Sequence, residues 1–421
     1  MSEQAKPRVL VTVGTRPEAI KMLPVIRALH ASALLEPLVV STGQHVGLVD
    51  EVLALAGLRA DIDLRVGRPG LTLNELFASV MRGLEQACRE RFGPPESVLE
   101  HGLGSSYPVG MLVHGDTSSA AAAALAAFHL RIPVAHVEAG LRTHMTASPF
   151  PEELNRQLIA RIAAFHLAPT SVSEENLILE GVRYEQIFVT GNTAIDALLW
   201  ASDLDAPSGV PEVDAILRDP ARRLVVVTAH RRENLASGAL GRIAAAVAET
   251  ARRHPEVVFV LPLHPNPAVG AAIRPALEPL GNVVLTAPLP YIAFAKLLRQ
   301  AYLVITDSGG IQEEAPALGT PVLVTRETTE RGEGVEAGTL QLVGTETTPI
   351  VRAVETLLTD QQAHTRMAES PNPYGDGLAA ARIVAALEHL AFRTPKPTRF
   401  GSGYQRSTIL RAAGFTDPSG S

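Results

Sequence analysis

From Val9 onward, short β-branched runs alternate with longer stretches of helical periodicity. That alternation admits few arrangements other than repeated βα units around parallel sheets. The runs are Val9–Val13, Leu38–Ser41, Met111–Val113, Val134–Val137, Phe165–Ala168 and Ile187–Val189, then Leu224–Thr228, Val257–Pro262, Asn282–Leu285, Leu303–Thr306 and Pro321–Val324. Between the two sets lies ASDLDAPSGVPEVDAILRDPARR, residues 201–223, whose Pro, Asp and Gly content predicts a linker with one short helix. A chain of 421 residues exceeds one compact core. The expectation is an α/β protein of two Rossmann-like domains, 1–200 and 224–374, with a central cleft. Residues 92–108 (FGPPESVLEHGLGSSYP) predict a long loop. Residues 394–421 lack periodicity and predict a flexible tail.

The net charge of −7 argues against nucleic acid as a main partner, because phosphate backbones call for a basic surface. A small phosphorylated molecule needs only local arginines. Cys88 is the single cysteine, which leaves neither an internal disulfide nor a thiolate metal cluster and suggests a buried or half-buried helix position. No apolar run approaches the roughly 20 residues that span a bilayer, and MSEQAKPRVLVTVGT enters a strand without a signal-peptide pattern. The location expected is the cytoplasm, with no membrane partner.

Acids recur where the apolar runs end. Asp116 follows Val109, Met111, Leu112 and Val113, and Glu138 follows Ile132, Pro133, Val134 and Ala135. Glu152 and Glu153 stand at a predicted helix start, with Arg156 one turn on. Open α/β sheets bind ligands outside the carboxyl ends of their strands. Carboxylates there, beside His136, Arg142 and Arg156, suggest proton transfer on an anionic substrate. His136 and Glu138 have the i, i+2 spacing of one strand face. A metal site could begin so, but no third ligand stands at a supporting spacing, and no metal is expected.

Three segments suggest phosphate. VTVGTRPEAIKML turns at Gly14 and Thr15 and enters a helix at Pro17, which offers an anion free N–H groups, with Arg16 and Lys21 adding charge. An ordinary βα turn with a solvated Arg is the plainer alternative. ITDSGGIQEEA is the stronger signal: Ser308, Gly309 and Gly310 let backbone amides approach a diphosphate. Of Glu313 and Glu314, one serves the helix dipole and the other, Glu314 by preference, takes sugar hydroxyls. In VTAHRREN, His230 is either a phosphate ligand or a structural cap. His264, between a strand and two prolines, reads as loop packing.

These segments together resemble the non-hydrolysing UDP-N-acetylglucosamine 2-epimerases. The resemblance covers roughly residues 8–391 and rests on GTRPEAIKM, TGQH, HGDT, HVEAGLRT, SPFPEELNR, TGNTAIDAL, AHRREN, DSGGIQEEA, TERGEGVEAGT and NPYGDG in family order. It implies a GT-B-like fold, a C-terminal helix (about 375–391) returning to the first domain, a homodimer, and no cofactor. It implies a UDP-sugar substrate, with UDP-GlcNAc and UDP-ManNAc interconverted by elimination of UDP to a 2-acetamidoglucal and re-addition. The acid/base candidates by motif match are Asp116, Glu138 and Glu152, with the face each serves unassigned. Lys21 and Arg156 match positive groups near the sugar. His230, Ser308, Gly309 and Gly310 match the diphosphate site, Arg16 the nucleotide, Glu314 a ribose contact, and Arg331 a sugar or phosphate contact.

The chain departs from the family pattern at Val46 and Gly47, at GLTL near Leu71, at THMTA after Arg142 and at Gly332. Gln44 and His45, candidates for an activator site, remain. The alternatives are a 2-epimerase of a modified UDP-HexNAc, a GT-B glycosyltransferase, a hydrolysing epimerase, and a non-catalytic nucleotide-sugar sensor.

Overall fold

The computed structural model describes residues 6–94, 107–205, 207–219, 222–231, 234–235 and 237–401. It divides into two compact units, Met1–Ala197 with Gly375–Ser421, and Leu198–Tyr374. The boundary falls inside the helix Thr193–Asp203.

In the first unit β1 (Arg8–Val13), β2 (Glu36–Ser41), β3 (Ile62–Asp63), β4 (Gly110–His114), β5 (Val134–Val137), β6 (Phe165–Ala168) and β7 (Ile187–Val189) form one parallel sheet, ordered β3-β2-β1-β4-β5-β6-β7. Nearly every residue of β1, β2, β4 and β5 is buried, the mark of a sheet covered on both faces. The alanine-rich helix Ser118–His129 packs against the helices Leu73–Phe92 and Glu152–Ile162. Its small side chains, Ala120 to Ala124 and Ala126 to Ala127, are all buried in the core that Val80, Leu84 and Cys88 share. Burial raises the Cys88 thiol to about 12 and leaves it inert.

The second unit repeats the scheme. β8 (Leu224–Thr228), β9 (Val258–Pro262), β10 (Val283–Thr286), β11 (Leu303–Thr306), β12 (Val322–Val324) and β13 (Leu340–Leu342) run parallel in the order β10-β9-β8-β11-β12-β13. Alternate residues feed opposite cores: Val225, Val227, Phe259 and Ile305 one, Val226, Val258, Val260 and Val304 the other. Both sheets are doubly wound. The order reverses between β1 and β4 in one and between β8 and β11 in the other, the positions where such sheets open a crevice.

Two sequence expectations are corrected. The described residues of 201–223 are packed in the second unit and do not form a plain linker: helix Thr193–Asp203 continues into the stretch, and the one short helix expected there, Pro211–Leu217, has Val213 fully buried and packs on the helix Tyr291–Gln300. Its apolar positions, spaced as Val213, Ile216 and Leu217, give it a face to bury. The supposed tail is ordered as far as it is described. Arg399 forms a two-bond ion pair with buried Glu174, the Phe400 amide donates to the Val189 carbonyl at 2.9 Å, and the Lys396 ammonium lies 5.2 Å from the Phe188 ring centre. Residues 402–421, and 95–106 of the predicted loop, lie outside the described residues. The loop's ends are anchored, since Phe92 and Tyr107 are buried edge to face and the Tyr107 hydroxyl donates to the Leu130 carbonyl.

The helix Ala379–Phe392 belongs to the first unit and packs on the helix Arg16–Ala31. Buried Asp196 caps it, accepting from the amides of Ala379 (3.2 Å) and Ala380 (2.8 Å). Gly375 leads into it where a Cβ would come within 2.7 Å of Ile195 Cδ1. Among the described residues no helix is long and apolar enough to cross a membrane.

Candidate active site

In the first unit the candidate residues gather at the carboxyl ends of β1, β4 and β5. Helix Arg16–Ala31 starts at Thr15 with a capping box: Glu18 accepts from the amides of Gly14 (3.0 Å) and Thr15 (2.7 Å), and Thr15 accepts from the Glu18 amide. The other Glu18 oxygen accepts from the Thr117 hydroxyl at 2.7 Å, tying β1's turn to β4's. Burial raises the Glu18 carboxyl above its ordinary range in spite of these donors. The Arg16 amide donates to His45 Nδ1 at 3.4 Å. The expectation of free N–H groups for an anion at this helix start is therefore corrected: the chain's own groups occupy them. The side chains of Arg16 and Lys21 are what this turn offers. Thr15 and Glu18, at cap and third helical position, carried the capping-box signature that reveals this.

Lys21 reaches across to Glu138 and forms an ion pair with its Oε2. Glu138 is not on the strand. β5 ends at Val137, and Glu138 has φ +65°, a left-handed conformation strained for a residue with a Cβ. The i, i+2 strand inference for His136 and Glu138 fails for that reason. His136 is fully buried and donates Nε2–H to the Gly115 carbonyl at 2.7 Å; burial depresses its imidazole to about 3, so it stays neutral. It braces the turn that carries Asp116 and is not available to a substrate. Arg142 is likewise consumed, in a two-bond pair with Glu180 at 2.6 and 2.8 Å.

Asp116 pairs with Arg156 at 2.5 Å, and Arg156 also reaches Glu153 at 3.0 Å. Glu153 is fully buried and accepts from the amides of Thr143 and His144, so it fastens the 143–148 loop. Glu152, its neighbour, is half-buried and makes no hydrogen bond or ion pair among the described residues. The Asn155 side chain donates to the Asp116 carbonyl at 2.8 Å.

Asp116 and Glu138 occupy opposite electrostatic settings. For Asp116 burial outweighs the Arg156 charge, and its carboxyl is raised; the Glu138 charge adds to the rise. Glu138 is also penalised by burial, yet Lys21, with help from His114 and Arg156, pulls it down to about 2. Neighbouring carboxyls driven apart in this way are the usual arrangement of an acid and a base. Among the described residues, no group of three or more His, Cys, Asp or Glu is placed to hold a metal ion.

In the second unit the residues gather after β8 and β11. Asp307 is fully buried, and its Oδ2 accepts from the amides of His230 and Arg231 and from Asn234 Nδ2, each at 2.9 Å. Its Oδ1 lies 3.3 Å from His230 Nδ1. The His230 ring is stacked on His264, centroids 5.5 Å apart and 6° from parallel. The loop packing expected of His264 is thus a stack on the His230 ring. Arg232 and Glu233 of the same motif lie outside the described residues.

Ser308 caps the helix Gly309–Glu314 without a side-chain bond of its own, and its amide donates to Thr306 Oγ1 at 2.9 Å. The Arg331 guanidinium lies over Gly309: a Cβ there would be 3.0 Å from its Cζ, so a larger residue would have to push the guanidinium aside. Arg331 pairs with Glu313 at 2.9 Å and with Glu330 at 3.3 Å. Glu313 therefore holds Arg331, and Glu314, whose Oε1 sits 4.0 Å from a Cβ built on Gly310, lies beside the second glycine. Buried Gln312 accepts from Thr329 and donates to the Ser308 carbonyl at 3.2 Å. The Tyr374 hydroxyl bonds the Arg331 carbonyl and the Gly334 amide at 3.1 and 2.9 Å. These contacts account for the NPYGDG and TERGEG motifs as braces of the Arg331 loop. Gln44 and His45 follow β2; the Gln44 side-chain oxygen is buried without a hydrogen-bond partner among the described residues.

Sequence inspection passed over Asp307, Gln312, Glu18 and His114. Asp307 and His114 stand at strand ends, as the chosen acids do, and that position was the available signal.

Two doubly wound parallel sheets, each with polar side chains at its switch point, define a GT-B-like protein of two Rossmann-like domains. Comparison with known proteins narrows this. The family model described as UDP-N-acetylglucosamine 2-epimerase matches residues 27–388. The UDP-N-acetylglucosamine 2-epimerase of Yersinia pestis is 46% identical over 387 residues, 91% of this chain and 98% of that protein. A Listeria monocytogenes structure, provisionally named a UDP-N-acetylglucosamine 2-epimerase, superimposes with TM-score 0.84 at 43% identity, covering 94% of this chain and 100% of the other. The Neisseria meningitidis UDP-GlcNAc 2-epimerase, solved bound to UDP-GlcNAc, matches with TM-score 0.75 at 40% identity over 90% of this chain and 99% of the other. The chain belongs to the UDP-N-acetylglucosamine 2-epimerase family, a family of isomerases.

Proposed function

We propose that this enzyme interconverts UDP-GlcNAc and UDP-ManNAc without a cofactor, and that Asp116 and Glu138 are its acid/base pair. The observation that carries the reading is their placement at neighbouring strand ends, Glu138 held ionised by Lys21 and Asp116 made easier to protonate by burial. C2–H is only weakly acidic, so inversion calls for a leaving group. A carboxylate takes the C2 proton, the C1–O bond to UDP breaks, and C1=C2 forms, giving a 2-acetamidoglucal. UDP then re-adds at C1 while a carboxylic acid returns a proton to the opposite face of C2. The direction of the pKa displacements favours Glu138 as the group that starts ionised and Asp116 as the one that more readily carries a proton. Glu152, with no partner of its own among the described residues, is the third candidate.

Lys21 and Arg156 offset charge around the sugar. His230, Ser308, Gly309 and Gly310 receive the diphosphate, Arg331 adds a cation beside the glycines, Glu314 meets the ribose and Arg16 the nucleotide. Gln44 and His45 are the contacts proposed for an activator. The same reading takes the chain to be a cytoplasmic homodimer, as the family resemblance suggests.

Proton NMR of the purified enzyme with UDP-GlcNAc in D2O tests the reaction. The expected product is UDP-ManNAc carrying deuterium at C2. Free ManNAc and UDP would move the enzyme to hydrolysis, and no product or exchange would refute this substrate. Glu138→Gln should lower turnover by on the order of 10³ while UDP still binds; undiminished turnover removes Glu138 from the mechanism.

A further inference from the structure

His114, the last residue of β4, is 3% exposed, and neither ring nitrogen has a hydrogen-bond partner among the described residues. A buried imidazole without a partner is costly, and such a group calls for an explanation. Its Nε2 lies 3.6 Å from Oε2 of Glu138, too long for a hydrogen bond and too close for indifference. Lys21 is bound to that same oxygen. Oε1 of Glu138 takes no hydrogen bond among the described residues and lies toward Gly115, 3.7 Å from where a Cβ would stand. The two oxygens are therefore unlike: one faces a cation and an imidazole, the other faces a glycine turn.

We propose that His114 is a positioning residue acting through Glu138: with substrate bound, its Nε2–H closes on Oε2, so that Oε1 is the atom presented to the C2 proton. This rests on the assignment of Glu138 as an acid/base group. Hydrogen bonds of catalytic groups are often long before substrate arrives and tighten in the complex. The left-handed backbone at Glu138 sets the carboxylate near this geometry, and His114 completes it. Burial holds the His114 imidazole down at about 4 against the pull of the Glu138 charge, so it is a neutral donor at working pH. The other charged or titratable groups around the pair are Lys21 from helix Arg16–Ala31, Asp116 after β4, Arg156 from helix Glu152–Ile162 and His136 on β5. None of the last three is placed on Oε2 by a hydrogen bond. When Lys21 turns to the substrate, His114 is the group left to hold that oxygen.

The test compares His114→Met, which fills the space without a donor, with His114→Gln, whose amide N–H reaches toward the place of Nε2–H. The expected result for His114→Met is a kcat lowered roughly 10- to 100-fold with KM nearly unchanged. The acidic limb of its kcat–pH profile should move to higher pH, because a carboxylate that loses a donor is easier to protonate. His114→Gln should recover most of both effects. If folded His114→Met, verified by circular dichroism, has the parent's kcat and acidic limb, the residue only fills space and the proposal is overturned. Equal damage in both variants, with no movement of the pH limb, overturns it as well. Glu138→Gln run alongside separates the two levels: an active Glu138→Gln defeats the assignment of Glu138 itself, whereas an inactive one with a normal His114→Met defeats only the role of His114.

Discussion

Asp307 shows how much one buried carboxylate can organise. Three donors converge on one oxygen, and the other faces the His230 ring. The charge favours a proton on Nδ1, which leaves Nε2 as the nitrogen for the diphosphate proposed to bind here. Asp307→Asn keeps an acceptor for the three donors and removes the charge. Its kcat/KM for UDP-GlcNAc should fall by roughly 10- to 100-fold with little change in thermal stability, measured by product formation and by differential scanning fluorimetry. Asp307→Ala leaves buried donors unsatisfied and should also lose stability, by about 2 kcal/mol or more. If Asp307→Asn is as active as the parent, the aspartate is a cap and nothing else. At this scale the sequence disclosed which residues stand at strand ends, because apolar runs mark the strands. It did not disclose how each side chain is spent. Arg142 and Arg156 look alike in the chain, yet one is closed on Glu180 and the other bridges Asp116 and Glu153. Glu152 and Glu153 are adjacent, and helical geometry sends one inward to a loop and leaves the other half-exposed. Such differences depend on partners far along the chain.

The elements with two buried faces were legible as uninterrupted apolar runs, and those strands lie where expected within a residue or two. β3 and β13 were not, since edge strands of two and three residues that are mostly half-exposed or exposed leave no periodicity to find. The short helix expected within 201–223 is Pro211–Leu217, but its turn-rich flanks gave no sign that Val213 would be fully buried. The helix Ala379–Phe392 shows what a cap can cost. Burial raises the Asp196 carboxyl to about 6 even though two amides point at it. A carboxyl raised on folding favours the native state while protonated. That contribution is present below pH 4 and is lost as pH rises to about 6, at which point it has cost about 3 kcal/mol. Asp196→Asn cannot ionise. Its melting temperature relative to the parent should therefore rise between pH 4 and pH 7, measured at matched ionic strength. A difference that is flat with pH would show that the two amides fully compensate the ion's burial.

At the scale of the whole molecule, the second unit is inserted into the first. Unit one is begun by Met1–Ala197 and finished by Gly375–Ser421. The returning part contributes the helix that packs on Arg16–Ala31, the Ser32–Glu388 hydrogen bond of 2.6 Å, the Arg399–Glu174 pair and the Phe400 bond to β7. A chain ending at Tyr374 should keep a folded second unit and lose the first. Limited proteolysis should then spare a fragment of about residues 198–374 and degrade what precedes it; a protease-resistant fragment spanning Arg8–Ala197 would contradict this. Domains usually close in the order in which the ribosome makes them. Here the order is inverted. The carboxylates proposed as the acid/base pair, Asp116 and Glu138, are translated early, yet the unit that carries them lacks the helix Ala379–Phe392 until the second unit has been made. During synthesis the carboxyl ends of β4 and β5 therefore wait without that helix while an entire second unit is made.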